Sequence, residues 1–415
     1  LLAVGAVAGA LSVPTLAHAG GYDTPMLYSA RHMGMGGAAI GYVNDPSALF
    51  HNPAGLGQVA HGEVIGDFSL LVGGLHSGPS FLATDVDSDR TVAPFFLVGG
   101  AYRVHDLITL GLGVYPVASA GATYHYGTPV NTDRTELFFL ETSPAIALNL
   151  ARNFRVGVGY RVTYVRVNRY QSPAGSPATT DFTLGGASFA GFRIGAQYTA
   201  LPWWQFGVVY RNPTTTKVSN SHGVAIGKTF SDVSTKFTLP SKLGAGTRAD
   251  LDDVVNVPLS LAFDFEYDFN KQNKGDPLVG TDVATGAPAS VPNLFEWKNS
   301  YTLRFGTELR FLHDTEADLD RVAARIGYVY DSTTANPNYP TPFGTPPAPT
   351  HVLTAGTGYN GGNWQANLAY AYRFGHGPVS PSAQTPSECP FCGYAGKKDY
   401  AIYLSGFYAD VSYKF

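Results

Sequence analysis

The sequence predicts an all-β fold: a transmembrane antiparallel β-barrel of about fourteen strands. Three observations lead there. From about residue 62 onward apolar and polar residues alternate with a period of two, over stretches longer than the strands of ordinary soluble sheets. The connections between these stretches alternate between tight and long, as the two ends of an outer-membrane barrel do. The chain closes on "FYADVSYKF", which sets Phe407, Ala409, Val411, Tyr413 and Phe415 on one face.

Composition is consistent with this class. The 415 residues are 44% hydrophobic and only 14% charged, with 25 Tyr, 25 Phe and 48 Gly. A formal charge of -4 argues against a nucleic-acid partner, which calls for a basic face. Two cysteines cannot supply a disulfide framework.

The first element is the apolar run "LLAVGAVAGALSVPTLAHAG". Small residues at Ala17-His18-Ala19 have signal-peptidase spacing, so a truncated signal peptide is expected over 1–19 with a mature start at Gly20. A membrane-anchoring helix is disfavoured because the run is short and Pro14 interrupts it. Next comes a segment without strand periodicity, ending in "NDPSALFHNPAGLGQ" (44–58), which reads as a hatch over 20–61 ahead of a barrel over 62–415.

Strands are expected near 62–77, 91–105, 107–123, 135–150, 153–170, 187–200 and 202–220. Seven more are expected near 233–250, 255–271, 297–313, 319–332, 350–361, 362–376 and 398–415. The clearest stripe joins Val255, Val257, Leu259, Leu261, Phe263, Phe265, Tyr267 and Phe269, opposite Ser260, Asp264, Glu266 and Asp268. Two others run through Tyr301, Leu303, Phe305, Leu309 and Phe311, and through Trp364, Ala366, Leu368, Tyr370, Tyr372 and Phe374. Tight connections are "VHD" (104–106), "LARN" (150–153), "LPW" (201–203) and "NGGN" (360–363), with "HDTEADLD" (313–320) the longest of them. Pro- and Gly-rich loops at 171–186, 271–296, 332–349 and 377–397 occupy the other end. Lipid cannot satisfy an open strand edge, so a sheet that spans a membrane must close on itself.

Individual motifs are weighed on their own chemistry first. Asn52-Pro53-Ala54 reads alone as an ordinary turn, stiffened by proline and closed by asparagine. Pro116 removes a ladder bond from "LGLGVYPVASAGATY", so it marks either a strand end or a break in pairing. "GMGGAA" (34–39) imitates a dinucleotide fingerprint but lacks the strand and βαβ unit that such a motif needs. Cys389-Pro390-Phe391-Cys392, in a long external loop of an exported chain, reads as a small structural disulfide. Asp264, Glu266 and Asp268 share the inward face with Arg304, Glu308 and Arg310 of the next strand, and mutual ion pairing is expected rather than a metal site. Neither common hydrolase signature is present, so no enzyme is expected.

Residues 28–56, "YSARHMGMGGAAIGYVNDPSALFHNPAGL", resemble the opening of the FadL-type outer-membrane transporters of long-chain fatty acids and other hydrophobic compounds. The likeness continues in "GLGVYPVASAGATY" (111–124), "SPAIALNLARNFRVGVGY" (143–160), "FTLPSKL" (237–243) and "WKNSYTLRFGTELRF" (297–311). The resemblance implies a fourteen-stranded monomer in the outer membrane of a Gram-negative bacterium, with outer-membrane lipid around it. It implies a hatch built on Gly34, Gly36, Gly37, Asn52, Pro53 and Ala54, and a lateral opening at an inward kink in the third strand, near Tyr115, Pro116 and Gly121. A fatty acid or hydrocarbon would be the partner, moved by passive diffusion with no cofactor. A water-filled porin or a ligand-binding surface barrel is the alternative. The proline-rich loop at 333–350 and the cysteine pair depart from the family pattern, which leaves the cargo open.

Overall fold

The structure is a computed structural model that describes residues 28–77, 84–127, 130–173, 175–255, 257–340, 345, 349–380, 385–391 and 399–415. The expected signal peptide, residues 20–27 of the hatch and Cys392 lie outside the described residues.

The chain opens with two single-turn helices, α1 (Ala30–Met33) and α2 (Ala48–His51), and a 3-10 segment, Pro53–Gln58. The strands follow: β1 (Gly62–Ser77), β2 (Val86–Asp87), β3 (Thr91–His105), β4 (Ile108–His125), β5 (Val130–Ala151), β6 (Phe154–Pro173), β7 (Thr180–Leu201), β8 (Trp204–Arg211), β9 (Thr214–Ala225) and β10 (Lys228–Leu239). After β11 (Lys242–Asp250) and the short helix α3 (Asp252–Val255) come β12 (Leu259–Asp268), β13 (Leu278–Asp282), β14 (Pro288–Val291), β15 (Ser300–Asp314) and β16 (Leu319–Asp331). The chain ends with β17 (Thr350–Asn360), β18 (Trp364–Pro378), the single turn α4 (Thr385–Glu388) and β19 (Asp399–Lys414).

Fourteen of these strands close one antiparallel ring, in the order β1, β3, β4, β5, β6, β7, β8, β11, β12, β15, β16, β17, β18, β19. The ring is sealed where β1 meets β19, from Glu63 opposite Lys414 to His76 opposite Ala401. Closure leaves no strand edge for lipid to face. The other strands lie outside the ring: β9 and β10 continue β8 and β11 as a hairpin, and β13 with β14 adds to the side of β10.

The wall is patterned inside out relative to a soluble protein. Val64, Phe68, Leu112, Leu261, Phe305, Leu368, Phe407 and Val411 are exposed, while Glu63, Asp67, Arg248, Asp264, Glu308, Arg325, Asp410 and Ser412 are buried. Such a surface is stable only where lipid replaces water on the outside. Aromatic girdles bound the apolar band. Near the tight-turn end lie Tyr102 stacked on Phe415, and Tyr359 against Trp364. Near the other end Tyr330, His351, Phe374 and Tyr403 follow one another across neighbouring strands. Tyr403 and Tyr413 are ten residues apart on β19. At ~3.3 Å per residue and a tilt of about 40°, that separation makes a band roughly 25 Å tall, the hydrocarbon thickness a barrel must match.

Several expectations need correction. The loop expected over 171–186 is largely strand, since β6 runs to Pro173 and β7 starts at Thr180. The strand expected over 255–271 is only Leu259–Asp268. Pro258 has no N–H to continue the ladder, and Leu251 N–H bonds Leu259 O to finish the tight end there. The strands expected over 202–220 and 233–250 run on to Ala225 and start from Lys228, joined at Ile226 and Gly227, both with positive φ as a primed hairpin turn requires. The stretch lacks an apolar stripe because it projects beyond the lipid, where none is needed. The loop expected over 271–296 contains β13 and β14.

Candidate functional site

The lumen is filled by the segment before β1. Tyr28, Ala30, Val43, Ala48, Asn52, Ala54 and Leu56 are all fully buried. With so little regular structure of its own, this hatch has many backbone groups to satisfy, and the wall satisfies them. Asp67 accepts from Ala30 N–H (3.0 Å), Asp410 from Arg31 N–H (3.1 Å), and Thr354 Oγ1 from Gly36 N–H (3.0 Å). Asp264 accepts from both Ala39 and Ile40 N–H (2.7 and 2.9 Å). In return Arg103 donates to Gly57 O and Arg193 to Leu49 O.

Asn52 is the most heavily used residue of the hatch. Its amide nitrogen donates to Ile40 O (2.9 Å) within the hatch and to Ala196 O (3.2 Å) and Val208 O (3.3 Å) on β7 and β8. Its side-chain oxygen caps the 3-10 turn by accepting from Ala54 N–H (3.2 Å), with Pro53 in the first position, where no donor is needed. Gly36 and Gly37 take φ of 68° and 75°, the left-handed turn that returns the chain after α1. Gly34 packs where a Cβ would lie 3.1 Å from Arg325 Cβ. The wall is hollowed to match: a Cβ at Gly157 would strike Pro53 and Ala54, one at Gly195 would strike Asn52, and one at Gly207 would strike Ile40 O. These wall glycines were not singled out from the sequence, because nothing local marks a glycine whose partner lies more than a hundred residues away.

The ring has one interruption beside the hatch. Pairing of β3 with β4 runs from His105 up to Val98 opposite Val114 and stops, leaving residues 91–97 and 115–122 unpaired across that seam. It closes again above, where Asp89 N–H bonds Thr123 O (2.8 Å). Pro116 begins a bulge in the pairing of β4 with β5, with Val117 as the extra residue. The opposite edge of the gap carries Pro94, another residue without an N–H, inconspicuous in the sequence because it interrupts no alternation. Gly121 lies on the upper edge, where a Cβ would meet Thr135 O. The result is a window in the wall, opening on a cavity of about 550 Å³.

Hatch and window are in contact. Tyr28 OH donates to Pro116 O (2.6 Å), and Tyr115 OH donates to Leu49 O (3.0 Å). The rings of Tyr28, Phe50 and Tyr115 meet at centroid distances of 5.3, 5.6 and 6.1 Å. Behind them lies a buried ion pair, Arg161 Nε to Glu141 Oε2 (2.6 Å), and Glu141 is 2.9 Å from Tyr115 OH. Arg193 bonds Tyr115 OH (3.0 Å) as well as Leu49 O. A buried charge is stable only when paired in this way.

The strand carboxylates divide their work. Glu266 is 2.9 Å from Lys242 and 3.8 Å from Arg304, and Asp268 is 2.6 Å from Lys242. Glu308 pairs with Arg248 and Arg325, and Arg310 with Asp252. Asp264 departs from the expected ion pairing, since it serves the hatch backbone. Inside the hatch, burial would raise the Asp45 carboxyl, but His32, Arg31 and the Ser47 N–H outweigh it and hold it well below the usual range. Burial lowers His32, against the pull of Asp45. Burial, with the charge of His32 added, pushes the His51 imidazole down to about 3. The ring is therefore neutral near pH 7, and its Nε2–H donates to Tyr28 O (2.5 Å).

Towards the long-loop end the lumen turns apolar. A cavity of about 50 Å³ is lined by Leu137, Val167, Phe182, Phe237, Phe295 and Phe391, with Arg169 at its side. Arg169 pairs with Asp133 and lies 5.3 Å from the centre of the Phe391 ring. Cys389 is buried and disulfide-bonded, in a chain whose other cysteine is Cys392.

Fold and site together define a class: a membrane-spanning β-barrel with its lumen plugged from the N-terminus and its wall opened at one seam. No family model matches the chain. It is 32% identical over 115 residues to the Neisseria meningitidis serogroup B protein NMB0088, whose name assigns it to the outer membrane; the match covers about a quarter of each, 25% of this chain and 24% of the relative. Among solved structures, the chain shares the fold of a Pseudomonas aeruginosa FadL homologue (TM-score 0.75, 14% identity, covering 96% of this chain and 100% of the other). It likewise shares the fold of the Pseudomonas putida toluene transporter TodX (TM-score 0.69, 14% identity, 94% and 99% covered). The Ralstonia pickettii toluene transporter TbuX gives a TM-score of 0.65 at 15% identity, with 94% and 99% covered.

Proposed function

We propose that the protein is a passive outer-membrane transporter of hydrophobic molecules, which enter from the long-loop end and leave sideways through the window into the membrane. The observation that carries this reading is the pairing gap between β3 and β4 beside a lumen closed by the hatch. A plugged lumen offers water no straight path, which speaks against a porin. A lateral gap is of use only to cargo that is soluble in lipid. The aromatic lining of Phe182, Phe237 and Phe295 suits a greasy ligand before release, though its cavity of about 50 Å³ must widen to admit one. The FadL homologue and the toluene transporters that share the fold favour cargo of that kind. Hydrophobic transfer supplies the gradient, so no energy source enters the scheme.

The test is a staple across the window. In a background with Cys389 and Cys392 replaced by Ser, cysteines introduced at Ala93 and Ala120, which line opposite sides of the cavity, are joined by a cleavable bifunctional thiol cross-linker. Uptake of a radiolabelled hydrocarbon or fatty acid into vesicles should fall by at least about tenfold and return when the linker is cleaved. Undiminished uptake through a stapled wall would overturn the lateral route.

A further inference from the structure

The window cavity holds charge that neither the hatch nor the wall uses. Its lining includes Val92, Ala93, Leu137 and Phe138, together with two guanidinium groups, Arg90 and Arg166. The carboxylates at the same mouth are already engaged. Asp89 is 3.0 Å from His125 Nε2, and Glu136 is 3.9 Å from Arg134, which also donates to Asn168. Among the described residues the guanidinium of neither Arg90 nor Arg166 has a hydrogen bond or an ion pair. Both residues are exposed. Arg166 follows Tyr164 by two residues on the outward face of β6. Arg90 precedes Thr91, which pairs with Gly73 next to the Gly74–Tyr403 pair of the upper girdle. Arg90 therefore stands where the apolar band ends and lipid head groups begin, and Arg166 lines the same cavity.

We propose that Arg90 and Arg166 form an anion subsite at the mouth of the window, taking the ionised head of an amphiphile, a carboxylate or a phosphate, while its chain lies against the apolar part of the cavity. A planar guanidinium binds either oxyanion with two parallel N–H···O bonds, and its weak hydration suits the membrane interface. A cavity lined by both apolar and polar side chains, with two cations among them, fits an amphiphile better than a plain hydrocarbon. Where the anion is cargo, the inference rests on the proposed transport and narrows it to hydrophobic acids. Where it is a lipid phosphate, the site holds a bilayer lipid across the exit.

The experiment compares wild type with the double variant Arg90→Gln/Arg166→Gln in vesicles of phosphatidylcholine alone. Uptake of a long-chain carboxylic acid and of its methyl ester is followed side by side. A cargo site predicts acid uptake slowed about tenfold in the variant with ester uptake unchanged. A second arm measures, by native mass spectrometry, the phosphorylated lipid that remains bound after purification from native membranes. Loss of that lipid from the variant, with acid uptake unaltered, assigns the subsite to lipid phosphate. Equal slowing of acid and ester, or no change in either arm, overturns the anion subsite. Should the wild type carry neither acid nor ester, transport fails as a reading, and lipid retention still decides the subsite.

Discussion

Asn52 shows how one side chain can fasten an element that has almost no secondary structure. It spends two N–H donors on three carbonyls, two of them on the wall, and its oxygen caps the turn that follows. Asn52→Ala removes the donors that tie Ile40, Ala196 and Val208 together and leaves the Ala54 N–H without its cap, and it should loosen the hatch by about 2 kcal/mol. Hydrogen exchange of residues 28–58 should then quicken while the strands stay protected; unchanged protection would mean the fastening lies elsewhere. The histidines make a second prediction. His51 is held neutral by burial, which brings its imidazole down to about 3 from the ordinary value near 6.5. Between those limits a released hatch binds more protons than a docked one, so docking is strongest above pH 6.5 and weakens as pH falls towards 3. His32, lowered in the same sense, adds to the trend. Exchange of hatch amides, corrected for intrinsic rate, should rise between pH 7 and 4.5, and His32→Gln/His51→Gln should flatten the dependence. A flat wild-type profile would count against it.

At the scale of elements, the hatch is a ligand for its own barrel. Its backbone is received by Asp67, Asp264, Asp410 and Thr354 from four different strands, and its turns fit hollows made by wall glycines. No local pattern marks these roles, so they were illegible in the sequence even at Asp264, whose inward position was plain. A carboxylate on an inward strand face looks the same whether it meets an arginine or a peptide N–H. The strands were legible for the opposite reason: lipid outside and polar groups inside impose alternation on each one, so Leu259–Asp268 and Trp364–Pro378 announce themselves. Where lipid stops the signal stops too, and the β9–β10 hairpin was read short. Tyr115 and Pro116 stood out through a proline in a strand, whereas Pro94 on the facing edge did not. Deleting residues 28–58 removes the plug and leaves the ring closed. Planar-bilayer recordings should then show steady ion conductance where the full chain shows little, because a ring of fourteen strands is wider than side chains alone can fill. A deletion variant as tight as the parent would show that the wall itself blocks the lumen.

For the whole molecule, the height of the window matters as much as its presence. The seam is paired up to Val98 and Val114, four residues above Tyr102 and its partner Leu110, and open from there to the level of Thr91. The opening thus spans the upper part of the apolar band and stays sealed near the tight turns. On the proposed reading, cargo leaving by this route is delivered into the leaflet on the long-loop side, with the other leaflet still to cross. The barrel then completes only half of a membrane passage. The remaining half is a flip across the bilayer midplane, which is fast for a neutral hydrocarbon and slow for an ionised head until it takes up a proton.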